Sequence, residues 1–365
     1  MKKIGIAIVG CGSMGEAHTK AYLAFPERCR IAAFCNRSIE KAERLAQIYA
    51  PGAVVSADIN DMLTMPEVDA VSICLPPSLH AEAACAALRA GKHVLCEKPM
   101  ACSPEECDLM LSAARSSGKL LGIVSQNRFT DEYFRAKQLI SGGALGRIIF
   151  ATVDSLWWRG NSYYDAQWRG TWRSEGGGCF MNHAIHHLDL LLWMLSMPDS
   201  VSAVILNAAH SGSECEDSGV AVLRYGNAIV RVTASLCSHG ERSGMSFHGE
   251  RGSLSIPHDI CVSGAHDNGF PYDDRAAAAA LERQYLSTLA PEFTGHTGQI
   301  DNFLSAITDS AALCSTGEDG RRVIELITTI YESACTGGEV RLPLEPGDRF
   351  CRAGGIADNM PKLNL

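Results

Sequence analysis

Two apolar patterns divide the chain. In the first part, short unbroken apolar runs at residues 3–9, 30–35, 54–55, 70–74, 93–96 and 120–125 alternate with amphipathic stretches at 16–25, 38–49, 59–64, 81–90 and 102–117. Continuously apolar runs predict strands covered on both faces, and the stretches between them predict helices, so this part reads as a parallel α/β sheet. Past residue 126 the pattern changes. A helix through Ile140 and a turn at Gly142-Gly143 lead into strands predicted at 148–157, 201–209, 219–225, 228–237, 245–249 and 253–256. Segments such as Ile229-Val230-Arg231-Val232-Thr233 alternate with period two, which predicts an antiparallel sheet with one covered face. Helices near 276–288, 300–314 and 320–335 follow.

One helix interrupts the strands. Gly176-Gly177-Gly178 reads as a flexible entry, and the apolar positions from Cys179 to Trp193 predict a buried or half-buried helix. Asn182, His186 and Asp189 fall at i, i+4 and i+7, which puts an amide, an imidazole and a carboxylate on one face. An unpaired buried polar group costs about 1–3 kcal/mol, so such a stripe is satisfied by partners or used for chemistry. It reads as the floor of an active site. His183 and His187 share another face at i, i+4, but a catalytic metal wants a third ligand, and no Cys/His/Glu cluster of matching spacing lies nearby. No metal is assigned, and His183 is kept as a substrate contact.

The first strand runs into Gly10-Cys11-Gly12-Ser13-Met14-Gly15, a G-x-G-x-x-G turn between strand and helix. In a dinucleotide site the first glycine permits the tight turn, the second lets backbone approach a pyrophosphate, and the third permits close helix–strand packing. The helix N-terminus then offers N–H groups to the phosphates. About 20 residues on, where a carboxylate binds the ribose of NAD, stand Asn36 and Arg37. Without that negative charge NADP becomes acceptable, and the cofactor is written as NAD or NADP. Leu75-Pro76 and His80 lie at the next carboxyl edge of the sheet. Glu97-Lys98-Pro99 follows the fifth strand, where a lysine is placed to point into the ligand crevice.

Composition narrows the partners. The net charge of −9 and pI near 5.7 argue against a nucleic-acid or anionic-membrane partner and favour a small molecule. No apolar run reaches the length of a membrane span, and the apolar start after Lys2-Lys3 stops at the glycine turn without a cleavage site. Fifteen scattered cysteines, without a C-x-x-C pair, read as reduced thiols of a cytoplasmic protein. Between Trp157 and Arg173 stand four of the five tryptophans, with Arg159, Tyr163, Tyr164, Trp168, Arg169 and Trp172. Aromatic faces with guanidinium forks suit sugar rings and acidic groups, so the stretch reads as a substrate-side loop; the alternative is an aromatic packing layer.

Taken in order, the glycine loop Gly10 to Gly15, Glu97-Lys98-Pro99, Gln126-Asn127-Arg128-Phe129, the glycine-led helix and the ending Asp319-Gly320-Arg321 to Val340-Arg341-Leu342-Pro343 resemble the Gfo/Idh/MocA oxidoreductases. The resemblance implies an α/β protein with two domains. An N-terminal Rossmann NAD(P)-binding domain would span residues 1–125, and a C-terminal α/β domain with an open, mainly antiparallel sheet would span 126–365. The second domain would bind substrate and form a homo-oligomer, a dimer or tetramer. Family members mostly oxidise or reduce a secondary alcohol on a sugar, cyclitol or sugar nucleotide, using NAD(P) and no metal.

By the same resemblance Lys98 is the catalytic lysine and His186 the acid–base histidine. The family's aspartate in D-x-x-x-H is Asn182 here, which can orient a hydroxyl but carries no charge. Arg128, Arg159, Trp172 and His183 join Asn182 as substrate contacts. Gln126, Trp168 and Arg169 join the glycine-loop residues, Asn36, Arg37, Leu75, Pro76, His80, Glu97 and Lys98 on the cofactor side. The expected reaction is hydride transfer, with His186 as base and Lys98 stabilising charge on the same oxygen. Two alternatives are a glycoside-cleaving cycle of oxidation, elimination and re-reduction, and a cofactor-sensing protein without catalysis.

Overall fold

The computed structural model describes residues 2–363, and the chain divides into two compact units: 1–129 with 292–324, and 130–291 with 325–365. In the first, strands β1 (Ile4–Val9), β2 (Cys29–Cys35), β3 (Val54–Ser56), β4 (Ala70–Ile73), β5 (His93–Cys96) and β6 (Leu121–Ile123) form one sheet in the order β3-β2-β1-β4-β5-β6. Every pairing in it is parallel. Helices α1 (Ser13–Leu23), α2 (Ile39–Tyr49), α3 (Ile59–Thr64), α4 (His80–Arg89) and α5 (Pro104–Ser117) make the crossovers. Strand order reverses between β1 and β4, so the loops after those strands flank the crevice where open α/β sheets take ligands.

The second unit opens with α6 (Asp131–Ser141), β7 (Ile148–Leu156), the short α7 (Trp172–Glu175) and α8 (Ile185–Leu195). Strands β8 (Ser200–Leu206), β9 (Ser218–Tyr225), β10 (Ala228–Ser235), β11 (Gly244–Gly249), β12 (Gly252–Ile256) and β13 (Asp259–Cys261) follow. A separate hairpin of β14 (Ser263–Ala265) and β15 (Pro271–Asp273) precedes α9 (Arg275–Ser287). Next come α10 (Gly295–Thr308), α11 (Gly317–Thr336), β16 (Val340–Arg341) and α12 (Gly355–Asn359). The large sheet runs β13-β12-β11-β7-β10-β9-β8-β16, antiparallel except for the β7/β10 pair.

Period two sorts this sheet as its sequence requires. Ala151, Val153, Leu223, Val230, Val232 and Phe247 are buried on one face, while Phe150, Val204, Val220, Val222 and Ile229 are exposed on the other. Helix α8 packs against β7 on the covered side.

Helix α10 belongs to the first unit although it follows the second unit's strands. Its Ile300, Phe303 and Leu304, spaced for one face, join Ile6, Ile8, Phe34 and Leu95 in that unit's core. Full burial of such side chains contributes about 1.5–3 kcal/mol each, which fixes the helix to the sheet. The helix predicted at 300–314 therefore starts earlier, at Gly295, and stops at Thr308. Its end is turned back by Asn302, whose Nδ2 donates to the Ala312 carbonyl at 2.9 Å and whose Oδ1 accepts from the Cys314 amide at 2.8 Å.

Candidate functional site

In the first unit the three glycines of the loop do different work. Gly10 has φ +97°, and a Cβ there would lie 2.3 Å from the Cys74 carbonyl oxygen. A Cβ on Gly15 would lie 2.0 Å from the Gly10 oxygen, so both are fixed by backbone packing. Gly12 is exposed and a Cβ would meet nothing within 4 Å, which leaves open space above the start of α1. Gly12 is also the N-cap and supplies no side-chain acceptor to the helix N–H groups. Open room beside unclaimed amide donors fits a dinucleotide pyrophosphate. Ser13 is exposed and Met14 half-buried beside it.

Asn36 ties this loop down. Its Oδ1 accepts from the Cys11 amide at 2.9 Å and its Nδ2 donates to the Ser38 carbonyl at 2.9 Å. Arg37 is exposed. After β4, Leu75 and Pro76 are half-buried.

Two residues expected on the cofactor side are buried. His80 is fully buried, with Nδ1 2.7 Å from the Pro99 carbonyl and Nε2 2.8 Å from the Leu75 carbonyl. It links the turns after β4 and β5. Burial holds its pKa below the usual histidine range against the pull of both carbonyls, and a ring with one proton serves one carbonyl at a time. Glu97 is also interior: Oε1 accepts from His18 Nε2 at 2.9 Å and Oε2 from the Lys98 amide at 3.1 Å. Burial pushes its pKa up, but the His18 hydrogen bond and the charges of His18, Lys98 and His296 outweigh it and hold the carboxyl near 2. Glu97 thus anchors the turn that carries Lys98, which is half-buried. His18, whose Nδ1 lies 2.7 Å from the Ser72 hydroxyl, was not singled out in the sequence.

Past β6, Gln126 carries a buried Oε1 without a hydrogen-bond partner. Arg128, expected at substrate, is 2% exposed and donates to the Cys314 carbonyl at 2.6 Å and to Asp319 at 3.3 Å. It is a structural tie within the first unit.

In the second unit the glycine-led segment is not one regular helix. Residues Phe180–Ala184 wind as a π-helical turn before α8, a local departure that recurs at functional sites. From residue 176 to 192 every position is buried except Asn182 and His186. Asp189 is buried and leaves the expected stripe. His187 Nδ1 lies 3.1 Å from the Ser155 hydroxyl, and burial lowers its pKa to about 4 although Asp154 pulls upward. It is a neutral core histidine. His183 is buried, with its ring 5.9 Å from that of Trp157 and 5.7 Å from that of Tyr163.

The aromatic stretch divides between packing and surface. Trp172 is 3% exposed, donates Nε1–H to the Pro361 carbonyl at 3.0 Å and packs edge-on against Tyr331, so it is part of the core. The Arg159 guanidinium lies over the Trp157 and Tyr163 rings and pairs with Glu241 at 2.8 Å. Arg169 lies over Tyr163 and Trp168 and pairs with Glu175 at 3.3 Å. Among the described residues two trios offer ligating atoms, His18–Glu97–His296 and His210–Asp217–Cys237. In the second, His210 already bonds Asp217 and the Arg159 carbonyl, both at 2.8 Å.

Comparison with known proteins agrees with the two-part α/β fold. Residues 4–125 match the family model described as oxidoreductase family, NAD-binding Rossmann fold, and residues 133–255 match the GFO/IDH/MocA C-terminal domain. The chain belongs to the Gfo/Idh/MocA oxidoreductase family. It is similar to the WlbA dehydrogenase of Bordetella pertussis, solved in complex with NADH and UDP-GlcNAcA, at 30% identity and TM-score 0.82, covering 94% of this chain and 99% of that one. It is 26% identical to the D-glucoside 3-dehydrogenase of Escherichia coli (strain K12), over 92% of this chain and 97% of the relative. Against the NADP(+) scyllo-inositol 2-dehydrogenase of Bacillus subtilis (strain 168) it is 26% identical, over 91% and 94%. No helix among the described residues is long and apolar enough to cross a membrane.

Proposed function

We propose that this protein is an NAD(P)-dependent oxidoreductase that moves a hydride between a nicotinamide and a secondary alcohol or ketone of a sugar, sugar derivative or cyclitol. The observation that carries the reading is the exposure pattern of residues 176–192, in which an amide and an imidazole alone break an otherwise buried segment. Burying that many apolar groups while leaving His186 accessible is what an acid–base histidine requires. Dehydrogenases of glycosides and inositols among the relatives support the substrate class.

The loop Gly10 to Gly15 would hold the pyrophosphate and Asn36 would fix that loop, with Arg37 and Gln126 on the cofactor side. The absence of a carboxylate at position 36 leaves both NAD and NADP admissible. When bound, the nicotinamide supplies the hydride acceptor or donor. In the oxidative direction His186 takes the hydroxyl proton, the Lys98 ammonium stabilises charge developing on the oxygen, and Asn182 orients a hydroxyl. Arg159 and His183, with Trp168 and Arg169, would line the substrate and cofactor ends. We further infer that copies associate through the exposed face of the large sheet, since Phe150, Val204, Val220, Val222 and Ile229 form an apolar surface larger than isolated exposed residues.

The test begins with the nucleotide released from denatured protein, identified by mass. Fresh protein is then incubated with sugars, uronic acids, inositols and glycosides while reduced cofactor and product masses are followed. Lys98→Ala and His186→Ala are each expected to lower turnover by about 10²–10⁴-fold while retaining nucleotide binding. Unchanged turnover in both would overturn the assignment, and glycoside cleavage without net reduced cofactor would replace it with the elimination cycle.

A further inference from the structure

The glycine entry to the π-turn is held from outside its own helix by a residue that the proposed chemistry does not use. Glu216, just before β9, is fully buried. Its Oε2 accepts from the Gly178 amide at 3.0 Å, and its Oε1 accepts from the Phe180 amide at 3.0 Å and the Tyr331 hydroxyl at 2.9 Å. The Glu216 carbonyl takes the Cys179 amide at 3.0 Å. Three successive amides, the donors a helix start leaves over, therefore end on one residue.

The glycines are shaped to this contact. A Cβ on Gly178 would lie 1.8 Å from the Glu216 carbonyl oxygen, and one on Gly177 would lie 2.1 Å from the Tyr331 hydroxyl oxygen. The Asn182 amide then donates to the Gly178 carbonyl at 3.0 Å, so the clamp passes directly into the turn that carries Asn182 and leads to His186. Both amides and the phenol donate to the side chain, so a carboxylate is the group that accepts from all of them. A glutamine of the same shape would bring a second set of N–H donors against N–H donors.

We propose that Glu216, seated by Tyr331, is a positioning residue for His186, fixing the turn from which the histidine and Asn182 are presented. This rests on the reading of His186 as the residue that handles the proton. The clamp is also titratable. Burial pushes the Glu216 carboxyl up to about 7, against the hydrogen bonds from Phe180, Tyr331 and Gly178. The titratable groups around it are Tyr331 on α11, Cys179 at the turn, Tyr164 before α7, and its neighbours Cys215 and Asp217, with Glu175 beyond. Once protonated, the carboxyl must find an acceptor for its own hydrogen. The two amides offer none, and the phenol oxygen is the partner that remains.

The test uses the full chain with NADH added and two readouts: amide hydrogen exchange over residues 176–184, and the pH titration of the His186 ring signal, assigned by its loss in His186→Ala. In Glu216→Gln, exchange over this segment should rise by about tenfold while β10 stays unchanged. The wild-type His186 titration should show a second inflection near neutrality that vanishes in Glu216→Gln. Should that variant fail to fold, Tyr331→Phe, which keeps both amide bonds, should move the inflection to higher pH. Exchange and titration identical to wild type in the folded variants would overturn the clamp. A perturbed segment together with full turnover in His186→Ala would instead overturn the acid–base reading while leaving the clamp in place.

Discussion

Gly12 and Gly15 separate nucleotide binding from folding by one methyl group each. In Gly12→Ala the new Cβ meets no protein atom within 4 Å, and the backbone at φ −82° is open to alanine. Two small terms then oppose each other. Alanine is a poorer N-cap than glycine, costing about 0.5–1 kcal/mol, while restricting the unfolded chain returns about 0.4–1 kcal/mol. The net change is within about 1 kcal/mol, or roughly 2–4 °C in melting temperature for a unit of this size. The methyl nevertheless occupies the space a pyrophosphate would enter, so NADH affinity should fall at least about tenfold, equivalent to about 1.4 kcal/mol. In Gly15→Ala the Cβ would lie 2.0 Å from the Gly10 oxygen, which is backbone and cannot rotate away. Strand and helix must separate, so stability should fall by about 1–3 kcal/mol or more. Thermal melts and fluorescence titration with NADH read both quantities. If Gly12→Ala bound NADH as tightly as the parent, the assignment of the open space to the nucleotide would be wrong.

Two further outcomes follow from buried and exposed groups in the second unit. His187 is lowered from 6.5 to about 4 by burial, so its folded form stays neutral where the unfolded chain would take a proton. The stability it contributes is present above pH 6.5 and is lost as pH falls toward 4, by about 3 kcal/mol. Denaturant midpoints across that window should show the loss, and His187→Gln should reduce the slope; an equal slope in the variant would refute the assignment. On the exposed sheet face, Val204→Glu with Ile229→Glu should convert an assembly to single chains by light scattering at unchanged melting cooperativity, and a mass equal to the parent assembly would reject that face.

Much of the architecture was legible because it depends on period. Continuous apolar runs marked β1, β2, β4 and β5, and period-two alternation marked β10. Strands β13, β14 and β15 were missed: each has three residues and is mostly exposed, so no periodic apolar signal exists to find. The aromatic stretch was legible as a group but not residue by residue. Trp172 and Trp158 look alike in sequence, and only the arrival of Tyr331 from α11 and the Pro361 carbonyl makes the first a core residue. The burial of Arg128 and His80 was hidden for the same reason, since the Cys314 carbonyl and Asp319 that hold the first and the Pro99 carbonyl that holds the second come from other segments.

The glycine run shows where local reasoning reaches its limit. A triple glycine is compatible with a flexible entry and with a close approach of two backbones, and those readings have opposite consequences for the histidine proposed as acid–base group downstream. Flexibility would let His186 wander; close approach holds it. What decides between them is a glutamate and a tyrosine remote in sequence, neither marked by any motif. The contacts at Gly177 and Gly178 leave no room for a side chain, and three consecutive amides are claimed by Glu216. Ordering those amides costs about 1–2 kcal/mol of backbone entropy per residue, a cost the fixed acceptors offset during folding. The entry is therefore ordered without a ligand, which is the condition for the proposed acid–base group to be pre-positioned.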